Sequence, residues 1–213
     1  CKNKGEFVWG ANKGNLTCSG PYVIAGYLSG EWWLLKTNAY YFRRQIHDIA
    51  VTDAKSQKTV VGRGYTTRIN VTVTNKGQFT ETFNVTTYAN TTIIDTRTNI
   101  TLEGGSSISF IFTWNTTGFV KGNYIISTVA DTVPGEMDTA DNTLPDGTVK
   151  VGVPGDLNGD GKCNLSDLVK VAGKFGTQEG DPEFDPNYDL NGDGKTNLSD
   201  LVKIATHFGI TDP

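Results

Sequence analysis

The 213-residue chain is poor in the side chains that enzymes and metal finders favour. It has two histidines, three cysteines and one methionine. His47 and His207 stand far apart in sequence, and neither sits in a nucleophile or zinc context. No glycine motif cradles a phosphate and no G-x-S-x-G occurs. The acids outside the C-terminal region lie mostly in turns, so no enzyme activity is expected. No apolar run reaches the ~18 residues of a membrane-spanning helix. There is no initiating methionine and no signal-peptide pattern, which predicts a mature form or a fragment. Basic residues are too sparse for a nucleic-acid footprint. Net charge runs from +4 in residues 1–46, through −2 in 47–153, to −6 in 154–213.

What the chain does have is a repeat. Residues 155–176 read GDLNGDGKCNLSDLVKVAGKFG, and residues 188–209 read YDLNGDGKTNLSDLVKIATHFG; 17 of the 22 positions are identical. Each copy opens with an acidic dodecamer. In the first, oxygen-bearing side chains fall at loop positions 1, 3, 5, 9 and 12: Asp156, Asn158, Asp160, Asn164 and Asp167. Lys162 at position 7 offers its main-chain carbonyl, and Gly161 at position 6 permits the bend. The second copy supplies Asp189, Asn191, Asp193, Lys195, Asn197 and Asp200 around Gly194. A hard divalent cation takes six to eight oxygens, and this spacing wraps them as an EF-hand loop does. Two calcium ions are expected. Both loops end in Asp where the usual loop has Glu.

Each loop runs into an amphipathic segment. Leu165, Leu168, Val169, Ala172 and Phe175 share one helical face, as do Leu198, Leu201, Val202, Ala205 and Phe208. Gly176 and Gly209 stop the helices. The segment between the copies, TQEGDPEFDPNY, reads as a linker.

This doublet resembles the type I dockerin family over residues 154–213. The resemblance implies a small calcium-dependent domain with pseudo-twofold repeats that docks through a helical face onto a cohesin-type β-sandwich. Positions 10 and 11, often Ser-Thr in that family, are here Leu165-Ser166 and Leu198-Ser199.

From about His47 to Val153 the period changes to two. In RINVTVT, Ile69, Val71 and Val73 share a face; in SISFIFTW, Ile108, Phe110, Phe112 and Trp114 do. FNVTTY and YIISTVA behave likewise. Turns at Asn75-Lys76-Gly77, Glu103-Gly104-Gly105, Lys121-Gly122-Asn123 and Pro134-Gly135 separate them. About seven strands at this spacing predict an antiparallel sandwich of immunoglobulin type, without an inter-sheet disulfide. HDIAVTDAKSQKTVVGRGYTTRINVTVTNKG (47–77), ISFIFTWNTTG (108–118) and GEMDTADNT (135–143) resemble the CARDB family. That resemblance implies an adhesive or spacer module of prokaryotic surface proteins, and with a dockerin behind it, an archaeal surface protein.

Residues 1–46 are rich in aromatics and hold three strand candidates, EFVWGA, PYVIAGYL and EWWLLKTNAYYF. They are too few for an independent core. Three readings stand: an extension of the sandwich, a donor of strands to a neighbouring copy, or a sugar platform. Cys1 and Cys18 flank a short loop that an extracellular disulfide would close; a lipidated Cys1 is the alternative. Cys163, at loop position 8, is expected in a core. Of eight N-x-[ST] sequons, Asn164 and Asn197 read as calcium ligands. Asn15, Asn70, Asn84, Asn90, Asn99 and Asn115 are N-glycan candidates in a secreted glycoprotein.

The sequence thus predicts a mainly β chain in three parts: an N-terminal β segment (1–46), an immunoglobulin-like sandwich (47–153) and a small helical domain with two calcium loops (154–213). The expected role is a non-catalytic, extracellular, calcium-stabilised protein–protein assembly module, a subunit of a surface filament or adhesive structure. The alternative is the C-terminal part of a larger secreted enzyme that docks onto a separate cohesin scaffold.

Overall fold

A computed structural model describes residues 46–211, together with two strands nearer the N-terminus, β1 (Tyr22–Leu28) and β2 (Trp32–Thr37). These two pair antiparallel as a hairpin with a register shift between Ile24 and Gly26. They fall within the expected PYVIAGYL and EWWLLKTNAYYF strands. The EFVWGA strand, Cys1, Cys18 and Asn15 lie outside the described residues.

From Ile49 the chain builds a two-sheet sandwich. Strands β3 (Ile49–Ser56), β5 (Thr66–Asn75) and β8 (Ser107–Asn115) form one antiparallel sheet in the order β3-β5-β8. The other sheet runs β4 (Val60–Gly62), β10 (Thr143–Gly152), β9 (Gly122–Ala130), β6 (Glu81–Ala89), β7 (Thr92–Leu102). All its pairings are antiparallel except β4 with β10, which is parallel.

Alternation makes this fold. Ile69, Val71 and Val73 on β5, Phe112 and Trp114 on β8, and Phe83 and Val85 on β6 all enter one core. Their neighbours Asn70, Ser109 and Thr113 face solvent. A one-residue slip would invert every side chain, so the pattern pins the register. Trp114, Phe119 and Tyr124 meet edge-to-face, with ring centroids 5.2–5.6 Å apart, and close one end of the core. At the other end Glu136 ties three segments: its carboxylate accepts from the amides of Ile49 (2.6 Å) and Val133 (2.8 Å) and from Asn142 Nδ2 (3.1 Å).

The C-terminal region adds two helices, α1 (Leu165–Ala172) and α2 (Leu198–His207), and a second, smaller core. Val153, Cys163, Val171, Leu190 and Ile204 are buried there, with Leu157, Leu168, Tyr188 and Leu201 packed around them. The expected helical stripe is only partly the buried one. Leu168 and Leu201 lean on the core, but its centres are Val171 and Ile204. Leu165, Val169, Phe175, Leu198, Val202 and Phe208 remain exposed. The apolar stripe is wider than this small core can cover, so the inner edge packs and the outer edge meets solvent.

The expected linker is also engaged. Asp185 caps a short 3-10 turn at Pro186–Tyr188, and Asn187 Oδ1 accepts from the Thr59 amide of the sandwich at 2.9 Å.

Candidate metal loops and docking face

The two dodecamers fold alike down to individual bonds. In the first, Asp156 Oδ1 accepts from the amides of Gly159 and Asp160 at 2.7 and 3.1 Å, and Oδ2 from Gly161 at 2.8 Å. Asp167 Oδ1 accepts from Leu157 and Asn158 at 2.9 and 3.3 Å, and Oδ2 from Asn164 at 2.9 Å. In the second, Asp189 takes the amides of Gly192, Asp193 and Gly194, and Asp200 those of Leu190, Asn191 and Asn197. Shorter turns complete each loop. Asn158 and Asp160 accept from the amides two residues on, as do Asn191 and Asp193. Gly161 and Gly194 hold φ of 87° and 83°, where a side chain would be strained.

Position 9 has a second task that the loop pattern alone did not reveal. Asn164 Oδ1 accepts from Ser166 N, and Asn197 Oδ1 from Ser199 N, both at 2.7 Å. Each asparagine is the N-cap of its helix, and the position-12 Asp completes a capping box. The signal was present in the sequence as N-x-x-D before each apolar run.

The repeats also close on each other. The Cys163 amide donates to Ile210 O, and the Gly209 amide to Cys163 O. Reciprocally, the Gly176 amide donates to Thr196 O, and the Thr196 amide to Thr177 O. The chain leaving each helix thus pairs with position 8 of the other loop, so neither repeat is complete alone.

The electrostatics fit a cation. Asp156, Asp167, Asp189 and Asp200 are all buried, and among the described residues none makes an ion pair with Lys, Arg or His. Burial pushes the Asp156 and Asp200 carboxyls above the usual carboxylate range, and neighbouring acids add to the rise. Asp160 and Asp193 stand in solvent, and the Asn158 and Asn191 amides hold them below it. Buried carboxylates without a counter-charge are costly, and a bound divalent ion removes that cost. The donors are all oxygens, the set a hard cation takes. Among the described residues no three acids, histidines or cysteines converge as a metal cluster. Each loop's offer is mixed instead: two inner acids, one outer acid, two asparagines and a carbonyl.

Several apolar side chains of the domain are exposed. On α1, Leu165 and Val169 are each 61% exposed; on α2, Leu198 and Val202 are 65% and 51% exposed. Phe175, Phe208 and Ile210 are exposed as well. Equivalent residues from both repeats thus stay uncovered.

Comparison with known proteins follows this division. The CARDB model matches residues 47–143, and the model of the dockerin type I domain matches residues 154–208. Both resemblances expected from the sequence are found, in the expected order. They are non-catalytic modules of protein–protein assembly; residues 1–46 lie outside both matches. Among solved structures, the chain is similar to the CARDB domain of a Pyrococcus furiosus protein, crystallised in complex with di-metal ions. The identity is 23%, the TM-score 0.44, and the match covers 51% of this chain and 96% of that one. A domain of a protein described as a cell-surface protein in Methanosarcina acetivorans matches at 23% identity and TM-score 0.41, over 50% and 92%. A β-glucosidase from Listeria innocua matches at 12% identity and TM-score 0.37, over 66% of this chain and 20% of that one. No curated protein matches the chain. Among the described residues no helix is long and apolar enough to cross a membrane.

Proposed function

We propose that this chain is a non-catalytic, extracellular assembly subunit whose C-terminal domain is folded by two calcium ions and docks a protein partner through its two helices. The first ion takes Asp156, Asn158, Asp160, the Lys162 carbonyl, Asn164 and Asp167. The second takes Asp189, Asn191, Asp193, the Lys195 carbonyl, Asn197 and Asp200. The proposed partner is a neighbouring copy, giving a filament or adhesive structure on a cell surface, archaeal by the CARDB–dockerin order.

One observation carries the reading. A core of five buried apolar side chains is small for sixty residues, and domains of that size normally add metal or a partner. Yet seven large apolar side chains stand outside it. Exposed apolar side chains of this kind are typical of interaction surfaces, and four buried acids held by main-chain amides, none in an ion pair, support the two ion sites. Glycans are assigned to Asn70, Asn90, Asn99 and Asn115, which are exposed. Asn84 is a poorer acceptor, because its amide is held by Asp131 and by the Asn99 amide.

The second reading keeps the same face and ions but makes the partner a cohesin-type sandwich on a separate scaffold, this chain being part of a secreted enzyme. The dockerin match favours it. Negative-stain imaging with calcium and then with EDTA separates the two. Filaments that disperse in EDTA establish the subunit reading. Isolated particles in both conditions remove it and leave docking to a scaffold.

A further inference from the structure

One sheet of the sandwich ends in β4 and β7, the other in β3 and β8. A sheet edge presents unpaired amides and carbonyls, and folds guard it with short strands, bulges, charges or a covering segment. β4 is three residues long. β7 shifts register twice against β6, carries Asp95 and Arg97, and takes a φ of 56° at Asn99. β3 shifts register between Val51 and Asp53 and carries Asp53 and Lys55. Its Ile49 and Val51 amides are taken by the Glu136 carboxylate and the Asp141 carbonyl. β8 has none of these devices. SISFIFTWN is nine residues without a charge or a proline, and its ladder with β5 runs from Ser107 to Asn115 without a shift.

The ladder fixes which atoms that edge offers. The Gly105 amide donates to Asn75 O and the Thr116 amide to Tyr65 O, so odd-numbered residues of β5 turn their main chain toward β8. Their partners there are Ile108, Phe110, Phe112 and Trp114. Main-chain groups alternate along an antiparallel strand, so those of Ser109, Ile111 and Thr113 turn outward. Among the described residues, the group that meets them is Arg97 of β7, whose Nη2 donates to the Ile111 carbonyl at 3.4 Å. Arg97 is half exposed, and the Asp95 carboxylate lies 3.9 Å from the same Nη2. The Ile111 side chain, at the middle of the strand, is 55% exposed.

We propose that β8 is a self-pairing edge: two copies of the chain join antiparallel about a twofold axis at Ile111, and their three-stranded sheets become one continuous sheet. A second copy fits because in this register the strand is its own complement. Ile111 meets Ile111, Ser109 meets Thr113, and Phe110 lies across from Phe112, with no like charges brought together. The outward amides and carbonyls of Ser109, Ile111 and Thr113 pair with those of the second copy, and Arg97 swings to Asp95. The glycan candidates Asn70 and Asn115 stand off the sheet face, perpendicular to the edge. A twofold contact alone closes at a dimer. It uses no residue of the helical domain and stands independently of the calcium reading.

Hydrogen exchange of the full, unglycosylated chain, read amide by amide by NMR, tests this. The Ser109, Ile111 and Thr113 amides are expected to exchange freely in dilute solution and at least about tenfold more slowly near millimolar concentration. The Phe110 and Phe112 amides, bonded to β5, are protected at both. Ile111→Lys and Ile111→Glu each lose the outward protection, because like charges meet at the axis, and an equimolar mixture of the two regains it. Protected Phe110 and Phe112 amides show that each variant is folded. Outward amides that stay fast in the wild type at every concentration overturn the inference without any variant having to fold. Outward amides protected at every concentration overturn it too, since a strand of the same chain then covers the edge. So does a mixture no better protected than either variant alone.

Discussion

Val151, near the end of β10, and Val153, in the bend just past it, lie two residues apart, and each is buried in a different hydrophobic core. Val151 closes the sandwich from β10, and Val153 opens the core of the two-helix domain. No spare chain separates the domains at this point. Gly62, on the strand beside β10, comes so close to Pro154 that an added Cβ would lie 2.7 Å from its Cα. Around this junction Lys203 stands over the Tyr65 ring at 4.6 Å, and Arg68 pairs with Glu179 at 3.6 Å. The pairing is exposed and contributes little; the shared segment and the buried Lys58, whose ammonium donates to the main-chain carbonyl of Asp189, contribute more.

Inserting Gly-Ser-Gly-Ser between Gly152 and Val153 is therefore expected to split one cooperative unfolding event into two. Scanning calorimetry checks this. The wild type gives a single transition that calcium raises as a whole. The insertion gives two, of which calcium moves only the one belonging to the helical domain. If the wild type already shows two independent transitions, the shared segment does not couple the cores.

Cys163 gives a chemical reporter of the same fold. It is free and fully buried, and burial pushes its thiol up to about 11 from 9.0. A raised folded pKa means that the thiol's contribution to stability is complete below pH 9.0 and is lost as pH rises toward 11. At pH 8 the thiolate population is cut about a hundredfold, and access is blocked as well. Iodoacetamide is expected to modify the calcium-loaded chain at least a hundredfold more slowly than a free thiol, and EDTA to restore ordinary reactivity. Rapid labelling with calcium present would mean that the small core is open.

Much of this was legible in the residues themselves. The loops could be read because each ligand position constrains residue type, and the inward faces of β5 and β8 because alternation is strict there. β7 was harder: TIIDTRTNITL has no clean period, and its partner β6 shifts register twice, so its faces do not alternate regularly. β4 is three residues long and pairs parallel to a strand some ninety positions on, a relation no local pattern encodes. Lys58 was invisible for the same reason. It stands 131 residues before the carbonyl it meets, and a lysine in a turn reads as solvated until the fold closes over it.

The small core should be sensitive to truncation. Ile204 is fully buried at its centre, and the Cys163 thiol lies against the Ile204 carbonyl at 3.6 Å. Ile204→Ala is expected to cost about 2–5 kcal/mol, a large part of what so small a domain holds. Far-UV circular dichroism at fixed calcium should show helix loss while the β signal persists. Saturating calcium should recover part of the helix, because ligand binding stabilises only the folded form. A variant as stable as the wild type would show that the ions, not the core, hold the helices.

The docking face should separate from folding altogether. Leu165 and Leu198 occupy equivalent positions on the two repeats, at the first residue of each helix, and both point largely into solvent. Leu165→Glu with Leu198→Glu adds acid to the first helical turn, where the helix dipole tolerates it, and removes no buried contact. Melting temperature is expected to stay within error of wild type, and the calcium midpoints to stay or fall but not to rise, since acid is added beside each loop. Association, read by light scattering at matched concentration with calcium, is expected to weaken by at least tenfold, since apolar anchors at the centre of an interface carry most of its energy. Changing only one of the two leucines distinguishes the geometries. If copies meet through both repeats at once, either single change weakens association. If one repeat suffices, one single change is silent and the other is as damaging as the double.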